Sequence, residues 1–167
     1  MGGSMNRTAL LVAAIVVILV ALGAWLFLRQ RETASAAASG TLCAHPPAPL
    51  TGLTNASVTA LKIEDLKEGS GPQAITSDTV RVNYIGRTVD GKEFDSSCRE
   101  GREPFEFQLG AGQVIPGWDS GIVGMRVGGI RRLIIPARLA YGDRSPSPDI
   151  PPNSALIFDV ELLQIRQ

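Results

Sequence analysis

At 167 residues, with 16 basic and 16 acidic side chains and no net charge, the chain has room for one ordinary domain and an additional segment. The even balance offers no footprint for nucleic acid, and two cysteines are too few for a disulfide framework. A single histidine and the absence of any CxxC or Cys/His cluster leave no basis for a His-dependent triad or a metal site, so neither metal nor cofactor is expected.

Residues 1–8 form a short polar tail. From Ala9 to Leu28 no charged residue occurs, and Arg29-Gln30-Arg31 closes the run. A helix of that length rises about 30 Å, the thickness of a bilayer's hydrocarbon core, so the run predicts a transmembrane helix with Trp25 near one interface. A cleaved secretory signal is the alternative, although such signals carry a shorter apolar region of about 7 to 15 residues. Arg7 against Arg29 and Arg31 favours a cytoplasmic domain by charge count, whereas the general pattern of N-terminal anchors places the domain outside. The expectation here is an extracytoplasmic domain on a membrane anchor, with secretion after cleavage or a cytoplasmic orientation as the alternatives.

Residues 29–59 are rich in Ala, Ser, Thr and Pro, with Pro46, Pro47 and Pro49 favouring extended chain, and read as a flexible linker that also carries His45. Whether Cys43 pairs with Cys98 is open at this level.

From about Ala60 the pattern changes to period two. Val80, Val82 and Tyr84 share one strand face, and Val89-Asp90-Gly91-Lys92 supplies a hairpin turn. Phe105, Phe107 and Leu109 alternate, as do Leu156, Phe158, Val160 and Leu162, while Leu133-Ile134-Ile135 suits a central strand. The adjacent Arg131-Arg132 reads as solvated charge on a strand face. Pro116-Gly117 breaks an extended segment, and Trp118, Ile122 and Met125 then fall on one face of a helix of about two turns. An α+β domain over residues 60–167 follows: an antiparallel sheet curled over one short helix, preceded by the N-terminal transmembrane helix.

Of nine aromatic residues, seven lie between Tyr84 and Phe158. Their motifs come in a specific order: Val82-Asn83-Tyr84-Ile85-Gly86, Gly91-Lys92-Glu93-Phe94-Asp95-Ser96-Ser97, Pro104-Phe105-Glu106-Phe107, Val114-Ile115-Pro116-Gly117-Trp118, Ala140-Tyr141-Gly142, Ile150-Pro151-Pro152-Asn153 and Leu156-Ile157-Phe158-Asp159-Val160-Glu161-Leu162. Taken together they resemble the FKBP-type peptidyl-prolyl cis-trans isomerases over residues 60–167.

That resemblance implies a curled sheet around a short helix, with a hydrophobic cavity for a prolyl ring. It implies Trp118 as a floor, partly buried with one ring face open. Tyr84, Phe94, Phe105, Val114, Ile115, Ile150 and Phe158 would contact substrate, Ile115 also through its backbone N–H. Tyr84, Asp95 and Tyr141 would carry the catalytic function, with Tyr141 offering its hydroxyl to a substrate carbonyl. The implied partners are proline-containing polypeptides and macrolides such as rapamycin, besides the membrane; a monomer is expected. A non-catalytic proline-binding chaperone or adaptor is the competing reading. Three departures from the family pattern stand out. Gln113 replaces a frequent Glu, and the segment from Ser96 to Glu103 is one residue longer than in short members, leaving open whether Arg99 or Arg102 pairs with Asp95. Asp149 stands in the flap where an apolar residue is common, which argues against tight macrolide binding.

Overall fold

The computed structural model describes residues 41–166. The tail, the proposed membrane helix over 9–28 and the linker up to residue 40 lie outside the described residues. Among the described residues no helix is long and apolar enough to cross a membrane.

Six antiparallel strands form one sheet: β1 (Lys62–Lys67), β2 (Thr79–Thr88), β3 (Glu93–Ser96), β4 (Phe105–Gln108), β5 (Ile130–Ile135) and β6 (Leu156–Arg166). Their order is β1-β5-β6-β2-β3, with β4 also paired to β2. β2 therefore carries two partners along one edge, β4 on Thr79–Val82 and β3 on Ile85–Arg87. The alternation read in the sequence sets the inner face. Leu156, Phe158, Val160 and Leu162 of β6 join Val80, Val82, Phe107, Leu133 and Ile135 in one core, each buried aliphatic side chain contributing roughly 1.5–3 kcal/mol by leaving water. At the β2–β3 hairpin, Gly91 adopts φ 86° and its N–H donates to Thr88 O, as an Asp-Gly turn requires.

The helix over this core, α2, is shorter than predicted, Pro116–Gly121. Gly124, at φ 85°, turns the chain out of the helical path soon after. Trp118, Ile122 and Met125 are nevertheless all buried, at 4%, 0% and 2% exposure. α2 lies directly on the side chains of β5: a Cβ on Gly117 would stand 2.5 Å from Ile135 Cγ2, and one on Gly121 would stand 2.7 Å from Leu133 Cδ2. Only glycine, twice at four-residue spacing, permits that approach.

Two expectations need correction. The linker assigned to residues 29–59 does not extend that far, since residues 41–59 pack on the outer face of the sheet. There a single helical turn, α1 (Thr41–Ala44), is capped by a buried carboxylate: Glu161 accepts from Thr41 N (2.8 Å), Thr41 Oγ1 (2.9 Å) and Leu42 N (3.0 Å). Leu42 is fully buried beside Ile85 and Ile130, and Cys43 forms a disulfide with Cys98. Further on, Leu50, Leu53 and Val58 pack with Ile134, Ala155 and Ile157, while Asn55 Oδ1 accepts from Ala155 N. The composition that suggested a free tether instead builds a strap whose partners lie across the sheet.

Nor are Arg131 and Arg132 solvated, because β5 is an interior strand covered on both faces. Arg131 points toward α2, where it donates to Gly121 O (2.9 Å) and Val123 O (3.2 Å) and pairs with Asp65. A cation there satisfies carbonyls left open at a helix C-terminus. Arg132 points outward to Asp159 (2.6 Å) and to Ala48 O of the strap (2.9 Å), and Arg87 pairs with the same Asp159 (2.8 Å).

Candidate active site

Between the sheet and α2 opens a cavity of about 300 Å³, lined by Tyr84, Phe94, Asp95, Phe105, Gln113, Val114, Ile115, Trp118, Tyr141 and Phe158. Strand alternation carries Tyr84 and Phe158 inward from β2 and β6. Val114 and Ile115 arrive on the extended segment that Pro116 converts into α2, and Ile115 O accepts from Trp118 N (2.9 Å). The approach to α2 is held by Asp119, whose carboxylate accepts from Gly110 N (2.9 Å) and Gly112 N (3.1 Å).

Trp118 is the hub of the aromatic wall. Edge-to-face contacts place Tyr84 and Phe158 5.3 and 5.2 Å from it, with Phe107 at 5.6 Å and Phe105 at 6.3 Å. These separations suit quadrupole attraction between rings. Trp118 is more deeply buried than expected because Phe107 and the two edge-on rings close around it, and its indole Nε1 meets no hydrogen-bond acceptor among the described residues.

The polar part of the site is a short chain of groups. Tyr84 donates its hydroxyl to Asp95 Oδ2 (2.6 Å), and Asp95 Oδ1 accepts from Arg102 Nη2 (3.1 Å) and from Ser96 N (2.9 Å). Arg99 pairs with Glu93 instead (3.1 Å), which resolves the choice between the two arginines. Burial, reinforced by the bond to Asp95, pushes the Tyr84 phenol up to about 12. Tyr141 is raised too, by burial and then by the charge of Asp95, and among the described residues its hydroxyl makes no hydrogen bond. Both phenols are therefore neutral donors at ordinary pH.

With this geometry in place, the comparisons are decisive: residues 71–163 match the profile of the FKBP-type peptidyl-prolyl cis-trans isomerases. The chain belongs to that family. FK506-binding protein 4 of Neurospora crassa is 55% identical over 109 residues, covering 65% of this chain and 23% of that protein. FK506-binding protein of Streptomyces anulatus is 52% identical over 107 residues, 63% of this chain and 86% of that protein. The crystal structure of AtFKBP13 superposes with a TM-score of 0.59 at 41% identity, over 64% of this chain and 93% of that one. The chain thus spans under a quarter of the length of the Neurospora relative and most of the Streptomyces one.

Within this FKBP domain the structure brings nine of the residues singled out from sequence to one cavity: Tyr84, Phe94, Asp95, Phe105, Val114, Ile115, Trp118, Tyr141 and Phe158. Ile150 is not among them. It is buried in the core at 4% exposure, at the end of the flap turn closed by Ile150 N on Ser147 O. Conversely, Gln113 lines the cavity although the sequence pattern assigns it no binding role; its amide Oε1 accepts from Gln108 N (3.0 Å), tying the rim to the end of β4. Arg102 is a further residue that sequence alone does not assign, since only folding decides which arginine reaches Asp95.

Proposed function

We propose that this FKBP domain catalyses cis-trans rotation of X-Pro bonds in polypeptides. The observation that carries the reading is the Trp118-floored, mainly apolar cavity whose polar side chains are the Tyr84-Asp95 pair, Tyr141 and Gln113 at its rim. Amide resonance sets a barrier of roughly 18–20 kcal/mol, so unaided rotation takes tens to hundreds of seconds. Resonance also places negative charge on the carbonyl oxygen. Moving that amide from water into an apolar cavity disfavours the charge-separated form and so favours the twisted state, and each 1.4 kcal/mol or so of lowered barrier is about tenfold in rate. The reaction requires no nucleophile. Trp118 and Phe158 supply shape and low polarity, Tyr141 and the Ile115 main chain hold the substrate's polar groups, and Asp95 fixes Tyr84.

Exchange spectroscopy on a proline-containing peptide tests this directly. Wild type should accelerate interconversion, Trp118→Ala should abolish most of the gain, and Tyr141→Phe should reduce it; a folded wild type that binds the peptide at the uncatalysed exchange rate would instead leave a chaperone or adaptor. The same cavity is expected to accept FK506-like macrolides, with Asp149 in the flap weakening their grip.

The membrane attachment through residues 9–28 is part of the proposal. The Cys43–Cys98 disulfide supports an extracytoplasmic placement, since such bonds persist in oxidising compartments. Protease shaving of intact cells should release residues 41–167 as a resistant fragment; complete protection would place the domain inside.

A further inference from the structure

The flap that follows Tyr141 and the β2–β3 hairpin both border the cavity, and one side-chain contact joins them: Lys92 Nζ lies 2.7 Å from Asp149 Oδ1 across 57 residues of sequence. Neither residue lines the cavity, yet Lys92 is two residues ahead of Phe94 and Asp149 sits in the Ser147–Ile150 turn of the flap that follows Tyr141. Both ends are held by their own backbones. In the hairpin, Thr88 N donates to Lys92 O (3.0 Å) and the Thr88 hydroxyl donates to Asp90 Oδ1 in the same turn. In the flap, Ile150 N donates to Ser147 O (3.1 Å), and Ser145 Oγ contacts Ser147 O (2.9 Å) and Ile150 O (2.8 Å). Two exposed charges on loose chains gain little by pairing, since each must be ordered to meet the other. Here the ordering is largely done before the pair forms. On the hairpin side Glu93 pairs with Arg99, Asp95 with Arg102, and Asp90 accepts from the Thr88 hydroxyl and acts on the Lys92 ammonium by its charge alone, so the ion pair that Lys92 makes is with Asp149.

We propose that Lys92 and Asp149 are positioning residues that clasp the flap to the hairpin and set the width of the mouth through which a proline-bearing segment enters. The inference rests on reading the cavity as a prolyl site and deepens it. A pre-set mouth lowers the ordering that a peptide must bring about on binding, while leaving the twisted state untouched once the peptide is seated. The clasp therefore acts on KM and Kd, not on kcat.

The test uses the full chain and one proline-containing peptide, with binding followed by calorimetry and turnover by exchange spectroscopy. Lys92→Gln and Asp149→Asn should each raise Kd and KM about twofold to fivefold with kcat changed by less than about twofold. The exchanged pair, Lys92→Asp with Asp149→Lys, should restore wild-type values, and added salt should weaken wild type more than Asp149→Asn. Single variants that fold with unchanged Tm and bind as wild type does, or an exchanged pair no better than the singles, would overturn the clasp. Wild type that binds without turnover refutes the isomerase reading while the calorimetric comparison still decides the clasp, and wild type that binds no prolyl peptide refutes both.

Discussion

Tyr84 joins wall and polar chain in one residue, and its ionisation is the clearest handle on the site. Because its folded value is raised from 10.0 to about 12, the native state retains that proton where the unfolded chain has lost it. The stabilising contribution is complete below pH 10 and is lost as pH rises between 10 and 12. In urea titrations wild type should therefore lose stability across that window more steeply than Tyr84→Phe; equal slopes would show that the bond to Asp95 does not hold the proton. Turnover should be flat over roughly pH 6 to 9, a range in which neither phenol titrates. Gly86 gives a second test. A Cβ there would stand 2.7 Å from Phe94 Cζ and 2.8 Å from Phe158 Cε1. Gly86→Ala must displace those wall rings, and it should cost about 1–3 kcal/mol in urea unfolding and lower kcat/KM as well.

Among the elements, the strands and the hairpin were legible because each carries its signal locally, as period-two alternation or as Asp90-Gly91 at a turn. The strap carried none. Pro46, Pro47 and Pro49 describe an extended chain equally well whether it is free or docked, and the groups that dock it, Glu161 and Ala155, lie 120 and 100 residues downstream. Arg131 and Arg132 misled for a similar reason: beside a short apolar run, charge reads as surface until Asp65 and Asp159 arrive from other strands. Nine residues that the motifs name by position line one cavity, whereas Ile150 lies in the core outside that lining, a difference that position in a motif does not reveal. The strap itself predicts coupled stability. Cys43→Ser with Cys98→Ser should cost about 2–4 kcal/mol in chemical denaturation, and Glu161→Gln, which weakens the cap of α1, about 1–3 kcal/mol. Because both act on one docked segment, the combined variant should lose less than the sum; strict additivity would mean that the cap and the disulfide hold it independently.

For the whole molecule, the functional cavity and the strap occupy opposite faces of one sheet. A chain beginning at residue 60 keeps every cavity-lining residue but uncovers Ile85, Ile130, Ile134 and Ile157 together with the Arg87–Asp159–Arg132 cluster. It should retain turnover on a short peptide while unfolding at lower urea and self-associating in size-exclusion chromatography; unchanged stability would reduce the strap to decoration. The cap on α1 also imposes an order of events on synthesis. Thr41 leaves the ribosome 120 residues before Glu161, a wait of roughly 6 to 24 s at ordinary elongation rates. Throughout that interval α1 lacks the carboxylate that caps it, so the first part of the domain to be made is the last to be capped. With two cysteines in the chain there is no competing intramolecular disulfide, so this bond can close before the final strand is made and keep the strap beside the sheet until Glu161 arrives to cap it.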